Sequence, residues 1–312
     1  MKFIAEFCQN HLGDFEILEQ MIVQAKKSGA THGKIQGIYV AELTFRSEFE
    51  NSQSGFFRPF EAEATRLKGL ELSFAAEAKF IEICEANGLT PMITVFTHVG
   101  ADRAEALGFK SIKIASYDCG SMPLIRRCLK FAKEIVISTG ATNWNDVSKT
   151  AMELYQIKSP EQVVALLHAR TLYPCNLNDT KLLRMLALIP FGFPVGFSDH
   201  SSAMEDKLLP SKFAIALGAE YLERHFTILD KSKTKDGPVS VSPTQLSTLV
   251  EFSRWTVQQK TQFIFENLNS WRSVTRCDSL DPCDVEIDNA RYYRGRFASE
   301  REGVRVHSWE NW

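Results

Sequence analysis

The chain has 312 residues, 44% of them hydrophobic and 24% charged, a length that fits one large α/β barrel or two smaller domains. A net charge of −2, a pI near 6.4 and the lack of any block of like charge give no support for nucleic-acid binding through bulk electrostatics. The opening MKFIAEFCQNHLGD meets acidic residues at once and no apolar run approaches membrane-spanning length, so neither a signal peptide nor a membrane segment is expected.

In chain order, eight short apolar runs alternate with stretches of helical periodicity. The runs are FIAEF (3–7), HGKIQG (32–37), PMITVF (91–96), SIKIAS (111–116), EIVISTG (134–140), VVALLHA (163–169), PVGFSD (194–199) and YLERHF (221–226). Between the first two, Phe15, Leu18, Met21, Ile22 and Ala25 mark one helix face, with Gly29 near its end. The same logic predicts helices at 74–86, 100–107, 121–132, 143–156, 178–188, 208–217 and 243–262. Eightfold alternation is the pattern of a (β/α)8 TIM barrel, whose active site lies at the C-terminal ends of its strands; alternation alone leaves a doubly wound open sheet as the competing fold. The barrel is assigned to residues 1–264 and a short irregular extension to 265–312. A long insert at 38–73, containing SQSG at 52–55, reads as a flexible loop feeding a short helix at 61–69. Over a barrel's catalytic face it would be a lid or an irregular surface loop. Seven scattered cysteines read as free thiols in a reducing cytoplasm, and the spacing of Cys277 and Cys283 matches no zinc pattern.

The strand ends carry the chemistry. They hold Glu6, Lys34 with Gln36, Thr94, Lys113 with Ser116 and Asp118, Ser138 with Thr139, His168 with Tyr173, Ser198 with His200, and His225. Alternate residues of a strand share a face, so Lys34 and Gln36 point into one barrel. Charges there are costly unless paired or functional; two lysines, a glutamate and hydroxyls at one end make either an anion pocket for phosphate or carboxylate, or a Lys–Glu network that fixes the barrel. His200 and His225, each ending a strand, suit a divalent metal with coordination positions left open for substrate and water.

These residues resemble the sialic acid synthase family, including its legionaminate and pseudaminate synthases. The matching stretches are IAEFCQNHLGD, the KIQ of HGKIQG, RLKGLELS, ITVF, IKIAS followed by Asp118 and PLI, VISTG, LLHARTLYP, VGFSDH, ALGAEYLERHFT, and Asp236 with Ser240 and Pro243. They run in family order over residues 3 to about 260. The resemblance implies an enzyme that condenses phosphoenolpyruvate with an N-acyl hexosamine to give a nonulosonic acid. It implies a divalent ion, Mn2+ or Mg2+, on His200 and His225, with Lys34, Thr94, Lys113, Ser116, Ser138 and Ser198 holding the phosphate and carboxylate of phosphoenolpyruvate. It places Glu6, Gln36, Tyr173 and Asp236 near the sugar and metal, and Asp118 as the carboxylate that takes the proton of the attacking water. His11, in the NH motif, is expected to order its loop.

The chain also departs from the family. Cys8 stands for a usual glycine, Val95 for a proline, Tyr117 for a glycine and Lys235 for a proline, while Arg170 and Thr171 replace Thr and Asn or Ser. Asp118 is one methylene shorter than the family's glutamate, enough to move a catalytic base by more than an ångström. Family members pair as homodimers and commonly carry a C-terminal antifreeze-like domain that reaches the partner's sugar site. Here residues 288–299 faintly resemble its linker, and the tail with Arg294, Arg296 and Trp309 is expected to be solvated. Two other readings stay open on the residues: a synthase using another aldehyde on the same barrel, and a non-catalytic barrel that binds sugar or phosphoenolpyruvate.

Overall fold

A computed structural model describes residues 1–51 and 57–312; the SQSG stretch at 52–55 lies outside them. The apolar runs form parallel strands, β1 (Lys2–Glu6), β2 (His32–Gln36), β3 (Thr90–Val95), β4 (Ser111–Ile114), β5 (Glu134–Ser138), β6 (Val163–Ala169), β7 (Val195–Asp199) and β8 (Tyr221–His225). Each pairs with the next, and β8 returns to β1 in a register running from Lys2 opposite Tyr221 to Glu6 opposite His225. The sheet is a closed barrel, not an open one. β4 and β5 stop earlier than expected, at Ile114 and Ser138, because the chain turns there into the loops that carry Ser116 and Thr139.

Outward-facing Ile35, Ile93, Ile112, Ile135 and Ile137 join the core beneath the helices, while Ile4, Met92, Val136, Ala165, Leu167 and Tyr221 make a second apolar cluster that fills the barrel. At its N-terminal mouth Glu134 accepts from Lys2 (2.6 Å), Ser111 (2.5 Å) and Tyr221 (2.8 Å), with His32 at 3.0 Å. Such a satisfied network closes the floor and leaves the opposite mouth for chemistry. Gly196 in β7 leaves no room for a side chain: a Cβ there would lie 2.3 Å from the Tyr221 carbonyl oxygen and 2.7 Å from Leu167 Cδ2. Gly196→Ala is therefore expected to cost about 1–3 kcal/mol, read as a lowered urea midpoint; an unchanged midpoint would contradict this packing.

Helix α1 (Phe15–Lys27) starts at Asp14, whose carboxylate accepts the amides of Glu16 and Ile17. α2 (Phe60–Lys68) lies in the insert, and α3 (Phe74–Ala86), α4 (His98–Leu107), α5 (Met122–Leu129), α6 (Trp144–Ile157), α7 (Leu183–Ala187) and α8 (Leu209–Ala216) each follow a strand. Two helices differ from expectation. That at 178–188 shrinks to α7 between 3-10 turns, because Lys181 sits at φ 48° and Pro190 has no amide hydrogen. That at 243–262 breaks into α9 (Pro243–Ser253) and α10 (Val257–Glu266), the second restarted by a Thr256–Gln259 capping box. The break brings Trp255 and Phe263 together on Phe252, with ring centroids 4.8 and 4.9 Å away.

The rest of the chain is regular and packed where an irregular, solvated tail was expected. It forms α11 (Leu268–Thr275), α12 (Asp284–Tyr293) and a hairpin of β9 (Ala298–Arg301) and β10 (Val304–His307). The insert, expected to be flexible, packs on this tail: Ile38, Leu43, Leu67 and Phe297 share an apolar cluster. Arg46 donates to the carbonyls of Arg291, Tyr292 and Arg294, and Arg296 pairs with Glu63 of α2. Among the described residues no helix is long and apolar enough to cross a membrane.

Candidate active site at the C-terminal mouth

Strand register brings the polar ends together. Lys34 Nζ lies 2.7 Å from Glu6 Oε2 and 2.9 Å from Glu223 Oε2, and Ser198 Oγ donates to Glu223 Oε1 at 2.8 Å. Glu6 also accepts the Cys8 amide (2.8 Å) and, at 3.4 Å, Gln36 Nε2. All but Gln36 are buried. Burial works against the Lys34 ammonium, but Glu223 and Glu6 outweigh it and hold its pKa up at about 12. Glu223 is likewise disfavoured by burial, yet Lys34 and Lys113 hold it well below the usual carboxylate range.

Lys113 is different. Its ammonium donates to Ser138 Oγ (2.7 Å) and the Ile114 carbonyl (2.8 Å), and no carboxylate among the described residues lies within ion-pair distance. Burial and repulsion from Lys34 outweigh the pull of Glu223 and lower its pKa to about 8. The Thr94 hydroxyl on the neighbouring strand is buried with no partner among the described residues. Lys113, Ser138 and Thr94 thus form the part of the ring that lacks an anion, whereas Lys34 already has two.

His200 and His225 stand beside this ring. His200 Nδ1 donates to the Arg170 carbonyl at 2.6 Å, since a carbonyl can only accept, and this turns the Nε2 lone pair toward Ser198 Oγ, 3.4 Å away. The two rings have centroids 5.5 Å apart, close to the separation of about 5 Å for imidazoles sharing one ion. His225 Nδ1 and Asp236 Oδ2 are buried without partners among the described residues. Ligand atoms of Cys8, His225 and Asp236 all lie within 4.8 Å of one another. Tyr173 is half exposed at the rim, its ring 4.3 Å from that of His200. These donors fit a divalent ion. His11 accepts the Gly13 amide at 3.0 Å, as a loop-ordering residue would.

Ser116 and Asp118 lie on the 3-10 turn after β4. The Asp118 carboxyl, pushed up by burial to about 6, accepts Ser308 Oγ–H at 3.1 Å, and the cation that acts on it is Arg294 of the tail, not a pocket lysine. Three further departures from the family, Arg170, Thr171 and Tyr117, meet the tail as well. Arg170 pairs with Glu286 of α12 at 2.9 Å, Asn289 donates to the Thr171 carbonyl, and Tyr117 stacks on Tyr293 with centroids 4.6 Å apart. Arg294 donates to the Tyr117 and Ala141 carbonyls.

A model of the NeuB family matches residues 21–263. The chain belongs to the NeuB family. N,N'-diacetyllegionaminic acid synthase of Legionella pneumophila is 29% identical over 255 residues, which cover 80% of this chain and 70% of that one. Human N-acetylneuraminate-9-phosphate synthase is 28% identical over 263 residues, covering 80% and 68%. The crystal structure of N-acetylneuraminic acid synthetase from Leptospira borgpetersenii superposes with a TM-score of 0.68 over 93% of this chain and 90% of that one; at 23% identity it speaks for the barrel fold. The relatives are named synthases, so this NeuB chain is an enzyme of that type.

Two residues of the NeuB mouth escaped the sequence reading as site residues. Glu223 shares a strand face with His225 by the period of two, a signal present in YLERHF but overshadowed by the histidine. Cys8, a departure from the family's glycine, is the other: its thiol lies within 4.8 Å of the ligand atoms of His225 and Asp236.

Proposed function

We propose that this NeuB-family enzyme condenses phosphoenolpyruvate with an N-acetylmannosamine-like N-acyl hexosamine, giving a nonulosonic acid and phosphate with C–O cleavage. The observation that supports it most is Lys113, a buried ammonium beside Ser138 with no carboxylate of its own, next to a histidine pair that fits a metal. A buried cation of this kind is completed by an anionic ligand. Lys113, Ser138 and Thr94 hold the phosphate and carboxylate of phosphoenolpyruvate, and the Lys34–Glu6–Glu223 network keeps the floor of the pocket rigid and charged. His200 and His225 would hold a divalent ion, which would supply Lewis acidity toward the aldehyde of the open-chain sugar. C3 of phosphoenolpyruvate attacks the aldehyde carbon and C2 takes up water; the tetrahedral carbon then forms its carbonyl as the C–O bond to phosphate breaks, and the two protons of the water end on the new hydroxyl and on the released phosphate. Lys113 stabilises the charge on the departing group. The Arg170 carbonyl keeps His200 in the tautomer a ligand needs.

Purified protein with Mn2+ is expected to release phosphate from phosphoenolpyruvate only when a suitable aldose is added; no release across a broad panel of N-acyl hexosamines would overturn the reading. His200→Ala and His225→Ala are each expected to weaken Mn2+ binding by about a hundredfold in calorimetric titration, and wild-type affinity in both would reject the histidine pair.

A further inference from the structure

We propose that Cys8 is a metal ligand, making the ion site a mixed thiolate, imidazole and carboxylate centre with His225 and Asp236 that selects a soft divalent ion such as zinc over manganese or magnesium. This deepens the functional reading above and rests on it for the place of the ion at His225.

Three separate pieces of chain converge there: the loop after β1, the end of β8, and Asp236 just before the 3-10 turn Gly237–Val239. Their ligand atoms lie within 4.8 Å of one another, up to about 1.4 Å wider than the spacing of ligands around a bound zinc. Two of the three carry unanswered groups: His225 is 7% exposed and its Nδ1 has no partner among the described residues, nor has Asp236 Oδ2. Buried polar atoms are left so where a ligand completes them.

Cys8 occupies a position that ordinary residues avoid. Its φ is 43°, in the left-handed region where a Cβ is disfavoured, and its amide is held there by Glu6 Oε1 at 2.8 Å. Glycine would fit this turn without strain, so the thiol stands where the backbone gives no reason for it. Ligation as thiolate would release the thiol proton to solvent. Thiolate is a soft donor that favours zinc, and manganese and magnesium prefer oxygen. A sulfur ligand at this place therefore changes which ion the site holds.

The test is cobalt(II) substitution of the full chain after chelator treatment. Wild type is expected to show a near-ultraviolet thiolate-to-cobalt charge-transfer band that Cys8→Ser and Cys8→Gly lack, while both variants still bind cobalt through visible d–d absorption. In dialysis against equal zinc and manganese, Cys8→Gly is expected to lose roughly tenfold or more of the wild-type preference for zinc. Glycine suits the positive φ, so folding does not confound the result. Cobalt bound without the sulfur band, or an unchanged preference in Cys8→Gly, overturns the proposal and leaves the histidine site standing. Failure of wild type to bind any divalent ion overturns both.

Discussion

Lys113→Met is expected to make the protein more stable and to abolish phosphate release. The ammonium is 2% exposed and lacks a carboxylate partner among the described residues, so the fold carries a charge it does not solvate. Its pKa falls to about 8, from an ordinary value of 10.5. The unfolded chain therefore binds this proton more tightly, and the penalty is complete below pH 8, shrinks between pH 8 and 10.5, and vanishes above. A shift of that size corresponds to a cost on the order of 3 kcal/mol at neutral pH, which methionine of similar length removes. Urea unfolding should show the gain at pH 7 and little difference above pH 10.5. Activity should fall about a hundredfold or more, because the cation proposed to meet the phosphate is gone. In wild type, affinity for phosphoenolpyruvate should decline as pH rises through about 8, the side on which Lys113 loses its charge. Lys34→Met separates the two lysines: it leaves Glu6 and Glu223 buried and facing one another, and is expected to destabilise by about 3–5 kcal/mol. Equal effects of the two substitutions on stability would refute the division of roles.

The barrel was legible because its strands are short apolar runs whose polar residues gather at one end, and that pattern is local. Lys34 and Lys113 were found for the same reason. Their difference was not legible, since it depends on Glu223, a neighbour across the barrel from a strand nearly two hundred residues away in sequence. The tail was misread because nothing in residues 284–293 shows that Glu286 meets Arg170; a buried pair looks, from one side, like an exposed acid. Arg170, Thr171 and Tyr117 stand in the sequence only as departures from the family, yet each is a contact made by the tail. Asp118 was placed by motif, while its hydrogen bond goes to Ser308, a partner that only folding supplies. The helix at 243–262 failed for a similar reason: periodicity continues through Trp255, but the aromatic cluster needs the chain to turn there.

Glu286→Ala is expected to free α12 from the barrel mouth and to weaken divalent-ion binding at the proposed His200–His225 site. Glu286 is fully buried and its carboxylate is completely used: it pairs with Arg170 at 2.9 Å and accepts the amides of Thr171 (2.9 Å) and Cys283 (3.2 Å). Removing it leaves the Arg170 guanidinium, 2% exposed, without a counter-charge. Breaking a buried pair from one side costs about 3–5 kcal/mol, far more than the same pair would contribute at the surface. Glu286→Gln keeps acceptors for the two amides and loses only the charge, so its cost should be smaller; the ordering Ala above Gln separates the ion pair from the backbone contacts. The damage should be local first, because α12 touches the barrel through few residues. Hydrogen exchange at Asp284–Tyr293 should rise ahead of exchange in β1 to β8. It should then reach the site: the Arg170 carbonyl that takes the His200 Nδ1–H lies on the residue whose side chain has lost its anchor. Outer partners of metal-binding histidines typically govern affinity by 10–100-fold, so Glu286→Ala should lower divalent-ion affinity by about tenfold with His200 and His225 intact. Unchanged exchange in α12 would show that Arg170 and Glu286 do not hold the tail. Faster exchange with unchanged metal affinity would show that the tail is anchored there but does not support His200.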